Sequence, residues 1–280
     1  MLLIVSDLDG TLLDPATYAL GPAEAVVARM RRSGIPLVAC SSKTRAEIES
    51  LLSRLGLDEP FICENGGALY VPDSSVPPGA ASSGRLRIQL GRPYEEVVAI
   101  LREVAGDQDV RIRGFSDMSV AEISRDCGLS PLQAQLAKLR EFDEPFRILE
   151  TDPGISSRFL RTLHRRGLRT VEGGRYFHAI GETDKGMAVD VLRARYGTAG
   201  TPVLVGLGDA PNDISLLRAV DIPVIVRRED SAASSRLLRK VPTARLTERP
   251  GPAGWAEAVS EILDRWESGR LRHWPEAARS

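Results

Sequence analysis

The chain has 280 residues, 42% of them hydrophobic and 27% charged, with a formal net charge of −1, enough apolar material for one large or two moderate cores. No Lys/Arg-rich block stands out, so the electrostatic footprint of a nucleic-acid binder is missing and a small-molecule partner is expected. No apolar stretch approaches the ~18 residues that cross a bilayer, and the first apolar run meets Asp7 too early for a secretory signal, so no membrane partner and cytoplasmic residence are expected.

In chain order, Leu2-Leu3-Ile4-Val5 is a continuous apolar run that ends at Asp7-Leu8-Asp9-Gly10-Thr11, and a helix is predicted over 22–32. A second run, 35–40, ends at Ser41-Ser42-Lys43 and leads into a helix over 45–55, with Thr44 and Glu47 in capping-box register. A third, Phe61-Ile62-Cys63, ends at Glu64-Asn65-Gly66-Gly67. Residues 73–84, rich in Pro, Ser, Gly and Ala, read as a loop or linker. Beyond it come a strand over 85–90, a helix over 94–104, and short helices opening at Ser119 and at Ser130-Pro131. A strand over 146–150 and a hairpin over 168–180, broken at Gly173-Gly174, follow. The run 203–207 ends at Gly208-Asp209, and an amphipathic helix with packing tryptophans spans about 255–266.

Continuous apolar runs alternating with helices predict an α/β fold around a parallel sheet, in which ligands gather beyond the carboxyl ends of the strands. The polar clusters at 7–11, 41–43, 64–67 and 208–213 all sit at such ends. The middle of the chain reads as a separate α+β module, 85–180, inserted between two halves of the sheet domain, 1–84 and 181–280.

Asp7 and Asp9 are two apart on a strand end and can project to one side. Like charges so close call for a hard cation or for one proton, so the pair suggests a metal site or acid/base work, although Asp and Gly also make ordinary turns. An EF-hand is excluded, because here the Gly is fourth and position 12 is Tyr18. Cys40, Cys63 and Cys127 have no metal-ligand spacing and read as small buried hydrophobes. A cysteine-phosphatase loop fails at Cys40, since only four residues separate it from Arg45. The chain carries 33 Arg and 4 Lys, so its lysines are selective choices, and two of them, Lys43 and Lys185, fall in site-like loops where a compact ammonium suits a phosphate oxygen. Ser41 offers a hydroxyl; Lys185 stands just before a helix; Gly208-Asp209-Ala210-Pro211-Asn212-Asp213 joins a strand to a helix. Each piece alone also reads as a cap, a solvated charge or an Asx turn. No Walker-type loop is present, and the Gly206-x-Gly208 pattern meets Pro211 where a dinucleotide fingerprint needs Gly.

The four pieces, in this order, resemble the haloacid-dehalogenase-like phosphatase superfamily across the whole sheet domain. The resemblance implies a Rossmann-like parallel-sheet core with an inserted α+β cap. It also implies Asp7 as a nucleophile forming an aspartyl-phosphate, Asp9 as acid/base, and Ser41, Lys185 and Asn212 at the phosphate. Mg2+ would be held by Asp7, Asp209 and the Asp9 carbonyl, with Asp213 as a further metal or supporting carboxylate. The segments VACSSKTRAEIE, ENGGALYVP, GLSPLQAQLAKLREFDEPF, GGRYFHAIGETDKG and GLGDAPNDISLL are similar to mannosyl-3-phosphoglycerate phosphatases over most of the chain. That closer likeness implies a phosphorylated sugar-glycerate substrate and release of mannosylglycerate, a compatible solute. The alternatives are glucosyl-3-phosphoglycerate or another sugar phosphate on the same core, and, outside catalysis, a phosphometabolite-binding regulator, against which the presence of Asp9 argues. Candidate substrate contacts are Arg140, Glu141, Asp143 and Glu144 in the cap, Lys43 and Asn65 from the core, and His178, which equally suits a structural role. Phe142 stands where this family leads one to expect Tyr, a lost hydroxyl contact. The sequence leaves the oligomeric state open.

Overall fold

The computed structural model describes residues 1–72, 84–173, 175–197 and 201–271. The chain begins β1 (Leu2–Ser6), α1 (Ala23–Arg32), β2 (Leu37–Cys40), α2 (Arg45–Leu55), β3 (Phe61–Cys63), β4 (Ala68–Pro72) and β5 (Arg85–Gln89). It continues through α3 (Tyr94–Asp107), β6 (Ile112–Gly114), α4 (Val120–Cys127), α5 (Pro131–Ala137), β7 (Glu144–Ile148), α6 (Pro153–Arg165), β8 (Arg169–Glu172) and β9 (Phe177–Ile180). It returns with α7 (Lys185–Tyr196), β10 (Val203–Gly208), α8 (Ile214–Ala219), β11 (Ile222–Arg227), α9 (Ser231–Lys240), β12 (Arg245–Pro250) and α10 (Gly251–Glu267).

The large sheet has the order β12-β11-β10-β1-β2-β3-β4-β5. It is parallel from β12 to β3 and antiparallel at β4 and β5. Its central strands are buried on both faces, which is why β1, β2 and β3 read as unbroken apolar runs. One face packs under α1 and α10, the other under α7 and α8. The α/β class expected from the sequence is the observed one. The capping boxes at Thr44 and at Ser119 form as the spacing predicts, and Ser130, ahead of Pro131 at the first helical position, makes another with Gln133.

The second sheet, β6-β7-β9-β8, is antiparallel throughout. It has its own core of Val97, Leu101, Phe146, Phe159 and Leu163, drawn largely from α3 and α6. The expected start of the inserted module at residue 85 is displaced: β5 pairs with β4 over Arg85 to Gln89 and closes the edge of the large sheet. The linker expected over 73–84 lies, but for Gly84, outside the described residues, as does Gly174 of the hairpin turn. Strands β4, β6, β11 and β12 have no counterpart in the sequence reading; β6 is three residues long, and β12, RLTERP, carries almost no apolar pattern. Among the described residues no helix is long and apolar enough to cross a membrane.

Trp255 ties α10 to the strand that ends at the site. Its indole is fully buried and donates to Ser6 Oγ (2.9 Å), whose hydroxyl donates to the Asp7 carbonyl (2.6 Å). Trp255→Ala is expected to cost about 3–5 kcal/mol in urea unfolding, the range for emptying an aromatic core position; a loss under about 1 kcal/mol would contradict this packing role.

Candidate active site

Ser6 pairs with Leu207 in the parallel register of β1 and β10, so the residues that follow each strand end, Asp7 and Asp209, arrive side by side. One oxygen each from Asp7, Asp209 and Asp213 lies within 4.8 Å of the others, and all three residues are buried. Such crowding requires compensating charge. Lys185, 1% exposed, donates to Asp7 Oδ1 and Asp213 Oδ1 at 2.6 Å each. It is the first residue of α7 and is fixed there because Asp184 caps the helix by accepting from the Met187 N–H. The other Asp213 oxygen accepts from the N–H groups of Asp209 and Ala210, both 3.0 Å, and closes the tight turn at Pro211–Asp213. Thr11 Oγ1 donates to Asp209 Oδ1 (2.7 Å), and Arg228 lies 3.3 Å from Asp209 Oδ2. Gly10, at φ +81°, is required here: a Cβ would fall 2.8 Å from Asp209 Oδ2.

Burial, then the nearby Asp213 carboxylate, holds the Asp7 carboxyl well above its usual range, with Lys185 opposing. Burial and Asp213 likewise push Asp209 up to about 7. For Lys185, burial works against the charge, but Asp213 and Asp7 outweigh it and hold the ammonium above its ordinary value. Two carboxylates that resist ionisation beside a cradle only glycine allows form an oxygen donor set suited to a hard divalent cation.

Asp9 behaves differently from Asp7. It is partly exposed, its Oδ2 lies 2.8 Å from Lys43 Nζ, and its buried Oδ1 has no hydrogen-bond partner. Ser41, at the end of β2, is buried and accepts from the Lys43 N–H (3.3 Å). Asn212 Nδ2 donates to Asn65 Oδ1 (3.2 Å), Asn65 Nδ2 donates to Asp143 Oδ2 (2.7 Å), and His178 Nδ1 lies 2.8 Å from Asp143 Oδ1. A chain of side chains therefore runs from the turn after β10 into the second sheet. A cavity of about 890 Å3 opens on the site, lined by Asp7, Asp9, Asp209, Asn212, Arg228 and His178 among others. Asn65 and Lys185 border a second cavity, of about 610 Å3.

Several expected substrate contacts lie elsewhere. Glu141 binds Arg45 (2.8 Å), Arg87 (3.1 Å) and the Tyr70 hydroxyl (3.2 Å), pinning the second module to the outside of α2, β4 and β5. Glu144 is buried and accepts from Tyr94 and from the Ser116 N–H and hydroxyl. Arg140, with a side chain 5% exposed, donates to the Ser42 and Ala137 carbonyls and covers the Phe115 ring. Asp143 is fully buried; burial raises its carboxyl, but His178, Arg140 and Asn65 outweigh that and hold it below the usual range. Phe142 is buried in the main core, so a hydroxyl there would not face the cavity. Arg140, Glu141 and Asp143 are engaged by the large-sheet domain, and Glu144 within the second module, a partition that sequence spacing does not encode.

The sequence reading missed Glu64 and Arg228. The Glu64 carboxylate accepts from three successive backbone N–H groups, Glu141, Phe142 and Asp143, at 2.8–3.1 Å. Glu64 and Asn65 both hold positive φ, and at Gly66 (φ +99°) a Cβ would strike the Asp184 carbonyl at 2.2 Å, so this turn is shaped by what it docks. The polar segment Glu64-Asn65-Gly66-Gly67 carried that signal, and Arg228 follows an apolar run, 222–226, that ends as the other site strands do.

Residues 4–76 match the model of the haloacid dehalogenase-like hydrolase family. A glucosyl-3-phosphoglycerate/mannosyl-3-phosphoglycerate phosphatase of Methanococcoides burtonii is 37% identical over 267 residues, covering 93% of this chain and 97% of the relative. A protein of the same name from Persephonella marina is 37% identical over 276 residues, covering 96% and 99%. The solved structure of a haloacid dehalogenase-like hydrolase from Bacteroides thetaiotaomicron matches with a TM-score of 0.64 at 19% identity, over 93% of this chain and 99% of that one, a likeness of fold. Fold and relatives together define a haloacid dehalogenase-like hydrolase that acts on phosphoric monoesters. Within that class the chain belongs to the glucosyl-3-phosphoglycerate/mannosyl-3-phosphoglycerate phosphatase family.

Burial lifts the Glu64 carboxyl from 4.5 to about 7, with Asp143 adding and Arg140 and the amide donors opposing. The folded chain thus holds this proton more tightly than the unfolded one, a contribution complete below pH 4.5 and lost as pH rises through about 7. Glu64→Gln is expected to remove that slope, so the wild-type melting temperature should fall more steeply than the variant's across this window; parallel melting curves would contradict it.

Proposed function

We propose that this protein is a Mg2+-dependent phosphatase that hydrolyses mannosyl-3-phosphoglycerate, or its glucosyl counterpart, to the glycosylglycerate and phosphate. The observation that carries the reading is the Asp7–Lys185–Asp213 cluster beside a partly exposed Asp9, in a chain whose 37% identical relatives bear both substrates in their names. Residues 1–90 and 181–280 would form the catalytic core and 91–180 the cap.

In this reading Asp7 attacks phosphorus and the P–O bond to the sugar-glycerate breaks, leaving an aspartyl-phosphate. Asp9 gives a proton to the departing oxygen, then takes one from the water that attacks the phosphorus and restores Asp7. One displacement thereby becomes two easier ones. The Ser41 hydroxyl, the Lys185 ammonium and the Asn212 amide hold the phosphoryl oxygens in line. Asp7, Asp209 and the Asp9 carbonyl would hold Mg2+, with Asp213 supporting them through Lys185 and the 209–210 amides, and the ion when bound offsets the charge of the transferring phosphoryl group. A binder without turnover has no use for an acid/base carboxylate at position 9, and Asp9 keeps one oxygen free of hydrogen bonds.

Phosphate release should fall to background in Asp7→Asn and by about 10²–10⁴-fold in Asp9→Asn, the range of a lost general acid/base. Chelation should abolish the wild-type rate and Mg2+ restore it. Sustained turnover by Asp7→Asn would sink the nucleophile assignment, and equal rates on mannosyl-3-phosphoglycerate, glucosyl-3-phosphoglycerate and simple hexose phosphates would sink the substrate.

A further inference from the structure

Three cations touch the carboxylates of the site, and no two of them share one. Lys185 is enclosed between Asp7 and Asp213, and Arg228 stands at Asp209. Lys43 stands at Asp9, the carboxylate that meets the leaving oxygen in the proposed reaction. In that reaction, a group carried within a carbon or two of the ester oxygen would arrive beside Lys43, whereas Arg140, the expected cap cation, is taken up by carbonyls.

The setting of Lys43 suits a group that changes partners. Its backbone is fixed at both ends: the N–H donates to Ser41 Oγ (3.3 Å) and the carbonyl accepts from the Glu64 N–H (3.0 Å). Its side chain, 13% exposed, runs over the Tyr18 ring, with the ammonium 4.9 Å from the centroid. Asp9 lies at 2.8 Å and Glu47 at 3.7 Å. Glu47 Oε2 is taken by the Thr44 N–H and hydroxyl, and its Oε1 stays at 3.7 Å, an ion pair beyond hydrogen-bond distance, so Asp9 is the close partner of Lys43. A guanidinium would grip Asp9 through two parallel bonds; an ammonium is a point donor that can turn from one oxygen to another. Lysine is the exception in a chain with 33 Arg.

We propose that Lys43 is the specificity-determining cation of this enzyme: it reads a carboxylate next to the scissile phosphate ester, and in binding that carboxylate it leaves Asp9 to the leaving oxygen. The inference rests on the phosphoglycerate reading above, in which the carboxylate carbon is one carbon removed from the carbon bearing the ester. A substrate lacking the second anion leaves Lys43 on Asp9 and is turned over poorly.

The test compares kcat/KM for mannosyl-3-phosphoglycerate and for the same molecule with its carboxylate reduced to a primary alcohol, using wild type, Lys43→Gln and Lys43→Met, each checked by thermal melting. Wild type should prefer the carboxylate by about 10- to 100-fold, the worth of one charge-assisted contact, and both variants should bring the ratio close to one. Folded variants that keep the wild-type ratio overturn the role of Lys43 and leave the substrate standing. If neither variant folds, the wild-type ratio alone decides: a ratio near one overturns the proposal. Wild type that releases phosphate from neither compound overturns the substrate reading and this inference together.

Discussion

One buried ammonium holds the site together. Asp7 ends the central strand, Asp213 closes the turn after its neighbour, and both would repel across a few ångströms without Lys185 between them. Withdrawing such charges from water costs several kcal/mol per ion, repaid only when geometry is good and the remaining lone pairs are satisfied. Here Asp213 meets that condition with two backbone amides on its second oxygen, and Lys185 is delivered by a capped helix start and does not hang from a loop. The cluster is therefore preorganised: charges and dipoles stand in place before any substrate arrives, which is where electrostatic catalysis gains most.

The same economy governs how the second module sits on the first. Glu64, buried in a left-handed turn, satisfies three successive amides of the segment entering β7, while Asn65 beside it links Asn212 to Asp143 and His178. A single turn after β3 thus sets both the seat of the second sheet and the orientation of Asn212. The backbone strain of two adjacent left-handed residues is sustained by these bonds. Movement of the module against the core must break or carry along a chain of side chains that ends in the turn holding Asp209 and Asp213.

Much of this was legible in the residues. Asp7, Ser41, Lys185 and Asp209 follow or precede elements whose hydrophobic patterning is unambiguous, and the parallel order of β10, β1 and β2 brings them together without long-range detail. The second module was less legible. Arg140, Glu141, Asp143 and Glu144 are four consecutive-looking polar residues, yet one caps carbonyls, one pins an outer surface, one orients a histidine and one fills an interior network. Spacing gives polarity; it does not give the direction of burial, which depends on the partner surface. The strands β4 and β5 show the same limit, since their place at the sheet edge follows from pairing with each other across a segment whose composition says only that it turns.

That difference moves the question of selectivity. The family resemblance directs attention to the charged segment around Arg140 in the second module for substrate contacts. Packing occupies Arg140 and leaves a core lysine, adjacent to the carboxylate proposed to serve the leaving group, as the cation with an exchangeable partner. The second module contributes His178 to the cavity wall, a ring whose Nδ1 is committed to Asp143. On the proposed reading, discrimination between esters with and without a neighbouring carboxylate would arise beside the reacting atoms, where it acts on the transition state, and discrimination among sugars would be left to the wall contributed by the second module.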